Sequence, residues 1–194
     1  MPELILASAS PRRQELLKRL GFRFTVAAAD VDEHTDAGAM EAVQALSRRK
    51  ALAAAALHPG CVILAADTLV AVDNVPLGKP ADAADAHRML RLLAGREHHV
   101  YTGVCCVSAA GDVYAGLDAS EVRFGEMSDA EIDAYIATGE PMDKAGAYAL
   151  QGGAAAWIEE VRGTPSGIIG LPLPLTRRLL QQCGLRAFPD AYQS

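Results

Sequence analysis

Residues 62–66 read Val-Ile-Leu-Ala-Ala, an unbroken apolar run that stops at Asp67. A strand with one wet face alternates apolar and polar residues, so a run without alternation belongs to a strand covered on both faces. Such a strand needs helices above and below it, and the rest of the chain supplies them. Residues 12–20 place Leu16, Leu17 and Leu20 at helical spacing, with Ser10 at a capping position, Pro11 at the first helical position and Gly21 as a stop. The short apolar run 4–7 before them completes a strand-loop-helix unit, and residues 22–27 read as a second strand. An acidic loop with Asp30, Asp32, Glu33 and Asp36 follows. Residues 40–57, rich in alanine and leucine and free of breakers up to Pro59-Gly60, predict a helix.

Beyond Asp67, residues 69–72 and 75–77 flank Asp73-Asn74 as a hairpin. Residues 82–93 predict a helix closed by Gly95, and 99–108 and 113–124 predict two long strands. Ser128 with Glu131 is a capping box opening a helix to Thr138. Residues 154–161 predict a strand and 172–183 the last helix. Strands alternating with helices, with no linker between them, imply a single α/β domain over residues 1–194.

Composition narrows what that domain does. Half of the residues are hydrophobic but only 5% aromatic, so the core is aliphatic and alanine-rich, with closely packed helices. With 18 basic and 24 acidic residues the formal net charge is −6, which argues against a general binder of nucleic acid or of a membrane surface, though not against a local basic pocket. Cys61, Cys105, Cys106 and Cys183 form no Cys-x-x-Cys pair, and Cys105-Cys106 lies in an apolar run, as expected of reduced thiols in a cytoplasmic protein. The first residues lack the basic flank of a signal peptide, and no stretch reaches the length of a membrane span.

Several segments carry chemistry. Ser8-x-Ser10-Pro11-Arg12-Arg13 lies between a strand and a helix, where the free N–H groups of a helix start attract anions. Two arginines in a first turn oppose the helix dipole, which makes sense if an external anion neutralises them. Asp67-Thr68 stands after a buried run, where a carboxylate can hold magnesium or accept a proton, or simply end a strand. Asp32-Glu33 suits a hard divalent cation, or is simply a solvated acidic loop, the commoner case. Lys50 fits either a solvated face or a reach toward phosphate, whereas Lys79, between Gly78 and Pro80, has a fixed backbone and a mobile ammonium suited to a phosphate oxygen. Gln151, before Gly152-Gly153, offers one acceptor and two donors to a base edge. None of the five histidines has zincin spacing, and His98-His99 reads as facing solvent.

Together these motifs resemble those of the Maf-like nucleotide pyrophosphatases, in the same order. They are Ser8-x-Ser10-Pro11-Arg12-Arg13, Asp32-Glu33, Lys50-Ala51, Ala66-Asp67-Thr68, Gly78-Lys79-Pro80, Asp143-Lys144-Ala145-Gly146-Ala147-Tyr148-x-x-Gln151-Gly152 and Gly170-Leu171-Pro172-Leu173, from residue 4 to about residue 183. The resemblance implies a twisted, mixed sheet flanked by helices, with two lobes around a central cleft. It also implies hydrolysis of nucleoside triphosphates to monophosphate and pyrophosphate with a divalent metal, Mg or Mn. On that reading Asp67 accepts the proton of the attacking water, and Glu33 and Asp67 hold metal. Ser8, Arg12, Arg13, Lys50 and Lys79 bind the substrate. Arg12, Thr68 and Gln151 vote for the branch acting on dTTP and UTP, where the 7-methyl-GTP branch has tryptophan, glutamine and glutamate. The alternatives are 7-methyl-GTP or a broader range of modified nucleotides, or a regulator of septum formation acting by protein binding. A homodimer is left open.

Overall fold

The computed structural model describes residues 2–35 and 37–188; Met1 and Asp36 of the segments read above lie outside the described residues. Strand β1 (Leu4–Leu6) leads into helix α1 (Pro11–Lys18) and the two-residue strand β2 (Thr25–Val26). The strand expected over 22–27 is this short because Phe22 and Phe24 pack into the core instead, leaving Thr25 and Val26 at an exposed edge. Helix α2 (Ala39–Leu57) buries Ala39, Ala42, Val43, Leu46, Ser47, Ala51 and Ala54 along one side. These mostly small side chains let the helix lie very close to the sheet.

Strand β3 (Val62–Val72) runs through Asp67 rather than ending there, and its first six residues are buried as the apolar run requires. It turns at Asp73 and Asn74, whose φ values of +50° and +65° are the left-handed pair of a type I′ turn, into β4 (Val75–Leu77). Helix α3 (Ala83–Leu93) is capped by the Asp82 side chain, and strands β5 (Glu97–Val107) and β6 (Val113–Phe124) follow. The Ser128–Glu131 capping box opens α4 (Asp129–Ala137). Short 3-10 turns at Glu140–Asp143, Ala145–Ala147 and Gly153–Trp157 lead to β7 (Ile158–Arg162), α5 (Pro165–Ile169) and α6 (Leu173–Gln182). The strand expected from residue 154 starts at Ile158, since the three alanines before it lie in a 3-10 turn with Ala154 buried.

The sheet order is β2-β1-β3-β5-β6-β7, with β4 also paired to β3. Pairing is parallel among β1, β2 and β3 and antiparallel elsewhere, so the sheet is mixed as expected. The long strands span two cores. At one end Val62, Leu64, Ala66, Val104 and Cys106 pack against α1 and α6. At the other, Val70, Val72, Val100, Val122 and Phe124 pack against α3 and α4. Helix α2 covers the opposite face along its length, with Ala51 and Ala54 over Ile63 and Ala65, and Val43 over Ala71 and Tyr101. These are the two lobes, joined by β3, β5 and β6.

One edge of β3 is paired along its length by β5, whereas the other is shared. On it β1 pairs at Leu4–Leu6 with residues 62–64, and β4 at Val75–Leu77 with residues 70–72. Residues 67–69 lie between the two, and among the described residues no strand lies beside them on that edge.

His98 does not face solvent. Strand β5 begins two residues earlier than expected, which pairs His98 with Val122 and turns it toward the core, where it is 1% exposed. Its Nε2 lies 2.8 Å from the Tyr148 hydroxyl, and its ring meets Phe124 and Tyr148 edge-on. All four cysteines are free thiols, with Cys105 and Cys106 fully buried. Among the described residues no helix is long and apolar enough to cross a membrane.

Candidate active site

The gap on the edge of β3 opens into a cleft of about 810 Å³. Asp67 and Thr68, consecutive on the strand, point to opposite faces there and organise two separate networks.

Asp67 faces α2. Lys50, on that helix, places its ammonium 2.7 Å from Asp67 Oδ1 and 2.7 Å from Glu33 Oε1. Lys50 and Asp67 are largely buried, while the Glu33 carboxylate is mostly exposed. The Lys50 hydrogen bond holds the Glu33 carboxyl below its ordinary range; partial burial opposes this, and the charges of Lys50, Lys79 and Arg13 assist it. Asp32 does not share in this: its side chain accepts the His34 N–H at 2.9 Å. Lys50 therefore lies in the cleft and not on a solvated face.

Thr68 faces the other way, toward Thr102, its direct partner on β5. The Thr102 hydroxyl donates to the Gly167 carbonyl at 2.9 Å, which uses its only proton. In the 2.8 Å contact between the two threonines, Thr68 must therefore be the donor. Toward the cleft Thr68 then offers only lone pairs, and it accepts from Arg13 at 3.3 Å. Arg13 also donates to the Gly170 carbonyl at 2.9 Å and to Ser8 Oγ at 3.2 Å. Burial lowers the Arg13 pKa and the Asp67 charge pulls it back up; the guanidinium stays charged. Of its five N–H groups three are spent on the protein, which leaves two for a ligand.

Ser10 occupies the N-cap of α1, but its hydroxyl makes no capping bond; its N–H instead donates to Ser8 Oγ at 3.2 Å. The first turn of α1 has no acidic residue, and Arg12 reaches Asp143 at 3.5 Å. Asp143 is held below its usual range first by Lys144, whose ammonium lies 2.5 Å away. Lys79 and Gln151 line the cleft, are exposed, and form no hydrogen bond or ion pair among the described residues. The carbonyl of Gly78 accepts from Gly146 N–H at 3.0 Å, which ties the Lys79 turn to the loop preceding Gln151.

The structure thus brings Ser8, Arg12, Arg13, Glu33, Lys50, Asp67, Thr68, Lys79 and Gln151 into one cleft. Lys144 joins them, although nothing in its spacing marks it for the site. Thr102 had no sequence signal, because its place depends on the β3–β5 register. In a chain of net charge −6, the cleft holds Arg12, Arg13, Lys50, Lys79 and Lys144 against Glu33, Asp67 and Asp143. That local excess of positive charge suits a polyanion. Glu33 and Asp67 converge on a single positive point, now the Lys50 ammonium, and hard oxygen donors of that kind fit magnesium, which takes one or two carboxylates and completes its shell with water and phosphate. Among the described residues no group of three or more His, Cys, Asp or Glu gathers for a metal held by protein alone.

A family model described as Maf-like protein matches residues 3–183. The chain belongs to the Maf-like family. A dTTP/UTP pyrophosphatase of Anaeromyxobacter dehalogenans (strain 2CP-C) is 50% identical over 188 residues, covering 94% of this chain and 95% of that one. A dTTP/UTP pyrophosphatase of Symbiobacterium thermophilum is 49% identical over 191 residues, 97% of each. Among solved structures, the Staphylococcus aureus Ham1 protein superposes with a TM-score of 0.48 at 15% identity, over 63% of this chain and 71% of that one. The Maf-like match spans every cleft residue named above, and the cleft lies where the two lobes of this Maf-like chain meet.

Proposed function

We propose that this chain hydrolyses dTTP and UTP to the nucleoside monophosphate and pyrophosphate, with a divalent metal. The observation that carries the chemistry is the cleft at the gap in β3, where Asp67 lies beside Lys50 and Glu33 and opposite the Arg13 socket. The printed names of relatives near 50% identity support the choice of substrate. The triphosphate lies against Arg12, the two unspent N–H groups of Arg13, and Lys79. These cations balance its charge and the charge that builds as pyrophosphate leaves. Asp67 accepts the proton of a water attacking the α-phosphorus. Glu33 and Asp67 would hold the metal, which supplies Lewis-acid polarisation of the phosphate oxygens when bound. Uracil and thymine each present a ring N–H flanked by two carbonyls, and the neutral Gln151 amide answers both kinds of group. A 7-methylated guanine carries positive charge and finds neither a carboxylate nor an aromatic plane at Arg12, Thr68 or Gln151.

The test is a panel of nucleoside triphosphates with purified protein, scored for pyrophosphate release with and without Mg²⁺. UTP and dTTP are expected to be cleaved well and 7-methyl-GTP poorly, with activity lost on chelation. Combining Arg12→Trp, Thr68→Gln and Gln151→Glu is expected to move kcat/KM toward 7-methyl-GTP. A wild type preferring 7-methyl-GTP overturns the specificity, and release of single phosphates overturns the reaction.

A further inference from the structure

Gln151 makes no hydrogen bond among the described residues, and two glycines follow it. Left to themselves Gly152 and Gly153 would give the segment many backbone conformations, and the amide of Gln151 no defined height in the cleft. Glu140, which does not line the cleft, removes that freedom. Both of its carboxylate oxygens accept the Gly153 N–H at 3.1 Å, and Oε1 also accepts the Tyr135 hydroxyl at 2.6 Å. It presses so closely on Gly152 that a side chain there would have to displace the Glu140 carboxylate. The anchor is itself held. Thr138 Oγ1 accepts the Glu140 N–H at 3.2 Å, and Tyr135 is fixed in the α3–α4 core. Burial and the Glu140 charge push the Tyr135 pKa upward, so its hydroxyl stays a donor. The Glu140 carbonyl also accepts Lys144 Nζ at 2.8 Å, and Lys144 pairs with Asp143, the partner of Arg12.

From this geometry we infer that Glu140 is the positioning residue for base selection: its carboxylate clamps the two residues after Gln151, so that the amide meets the pyrimidine at one fixed place. The inference rests on Gln151 reading the base. Hydrogen bonds to an ionised acceptor are the stronger kind, which suits a clamp on a glycine pair.

The test measures kcat and KM for UTP, dTTP and GTP with Mg²⁺, for the wild type, Glu140→Ala, Glu140→Gln, Gln151→Ala and the double alanine variant. Glu140→Ala is expected to lower kcat/KM for UTP and dTTP by about 10- to 100-fold, chiefly through KM, the scale expected when a contact group is misplaced by about an ångström. GTP turnover is expected to change little. Glu140→Gln keeps an amide oxygen for Gly153 and recovers most of the loss. If Glu140 acts through Gln151, the double variant is no worse than Gln151→Ala alone. Equal losses for all three nucleotides, or additive losses in the double variant, overturn the inference. A Gln151→Ala variant with the wild-type UTP:GTP ratio overturns the base-reading role itself, and Glu140's with it; that failure shows in the single variant. Should Glu140→Ala not fold, Tyr135→Phe, which removes the hydroxyl that holds Oε1, decides by the same criteria.

Discussion

Lys50→Met keeps an unbranched stem and removes the ammonium that lies 2.7 Å from both Glu33 and Asp67. The two carboxylates do not suffer equally. The Glu33 side chain is 63% exposed and is rehydrated, whereas the Asp67 side chain is 12% exposed and keeps little water. Breaking a fully buried pair costs about 3–5 kcal/mol. Here the cleft admits water to one side, so a loss of about 1–3 kcal/mol is expected, the range of a buried polar group left without its partner. For a chain of this size each kcal/mol moves Tm by about 2–4 °C, which places the drop at about 2–12 °C. Calorimetry in metal-free buffer measures it. Two carboxylates without their ammonium are also a better cation site, so Mg²⁺ is expected to raise the Tm of the variant more than that of the wild type. A hundredfold excess over Kd is worth about 2.7 kcal/mol. The pH dependence has a defined sign. Lys50 depresses the Glu33 pKa, so the stability it confers is present above the ordinary carboxylate pKa and is lost as pH falls through the depressed value. The difference between wild type and variant therefore narrows in acid. An unchanged Tm in metal-free buffer, or equal Mg²⁺ shifts in the two proteins, refutes the reasoning.

Asp67→Asn is expected to keep the fold and lower kcat by about 10²–10⁴, the usual worth of a general base; wild-type kcat at saturating Mg²⁺ would make Asp67 structural. His98, pushed down to about 3 by burial, stays neutral in the folded protein while the unfolded chain takes up its proton near pH 6.5. Stability is then complete above that pH and falls as pH drops from about 6.5 toward 3, at up to about 1.4 kcal/mol per unit. Urea unfolding at pH 7 and pH 5 is expected to show a loss of about 2 kcal/mol that His98→Gln largely abolishes; identical slopes count against it. Gly103→Ala drives a Cβ into the Val43 carbonyl oxygen, a backbone atom that cannot swing aside, so α2 must shift. A destabilisation of about 1–3 kcal/mol is expected, together with weaker turnover as Lys50 moves away from Asp67; a variant that melts like the wild type denies the close packing.

Local chemistry explains what was legible in the chain. The run at 62–66 has no polar residue to offer a wet face, so it had to become an interior strand. Ser128 and Glu131 satisfy each other's end of a helix start whatever surrounds them, and Asp73-Asn74 tolerate the left-handed turn because their short polar side chains do. The alanine stripe of α2 foretold close packing, and Gly103 is where it occurs. The strand limits were less legible. Whether His98 lies inside or outside depends on where β5 begins, and a shift of one residue reverses every side chain.

The chain by itself determined which groups exist: serines and arginines at a strand-helix junction, a carboxylate after a buried run, a lysine between glycine and proline, a glutamine before two glycines. Those are local properties, and spacing along the chain displays them. Only the tertiary structure decided that β1 and β4 stop short of each other on β3 and leave Asp67 and Thr68 uncovered between them. Only it decided that Lys50 bridges Glu33 and Asp67, that Thr102 turns Thr68 into an acceptor for Arg13, and that Glu140 grips the glycines after Gln151. Each of these joins elements far apart in the chain through a sheet register or a helix packed at one distance. Sequence spacing carries no record of such distances, because they are set when the two cores close on their shared strands.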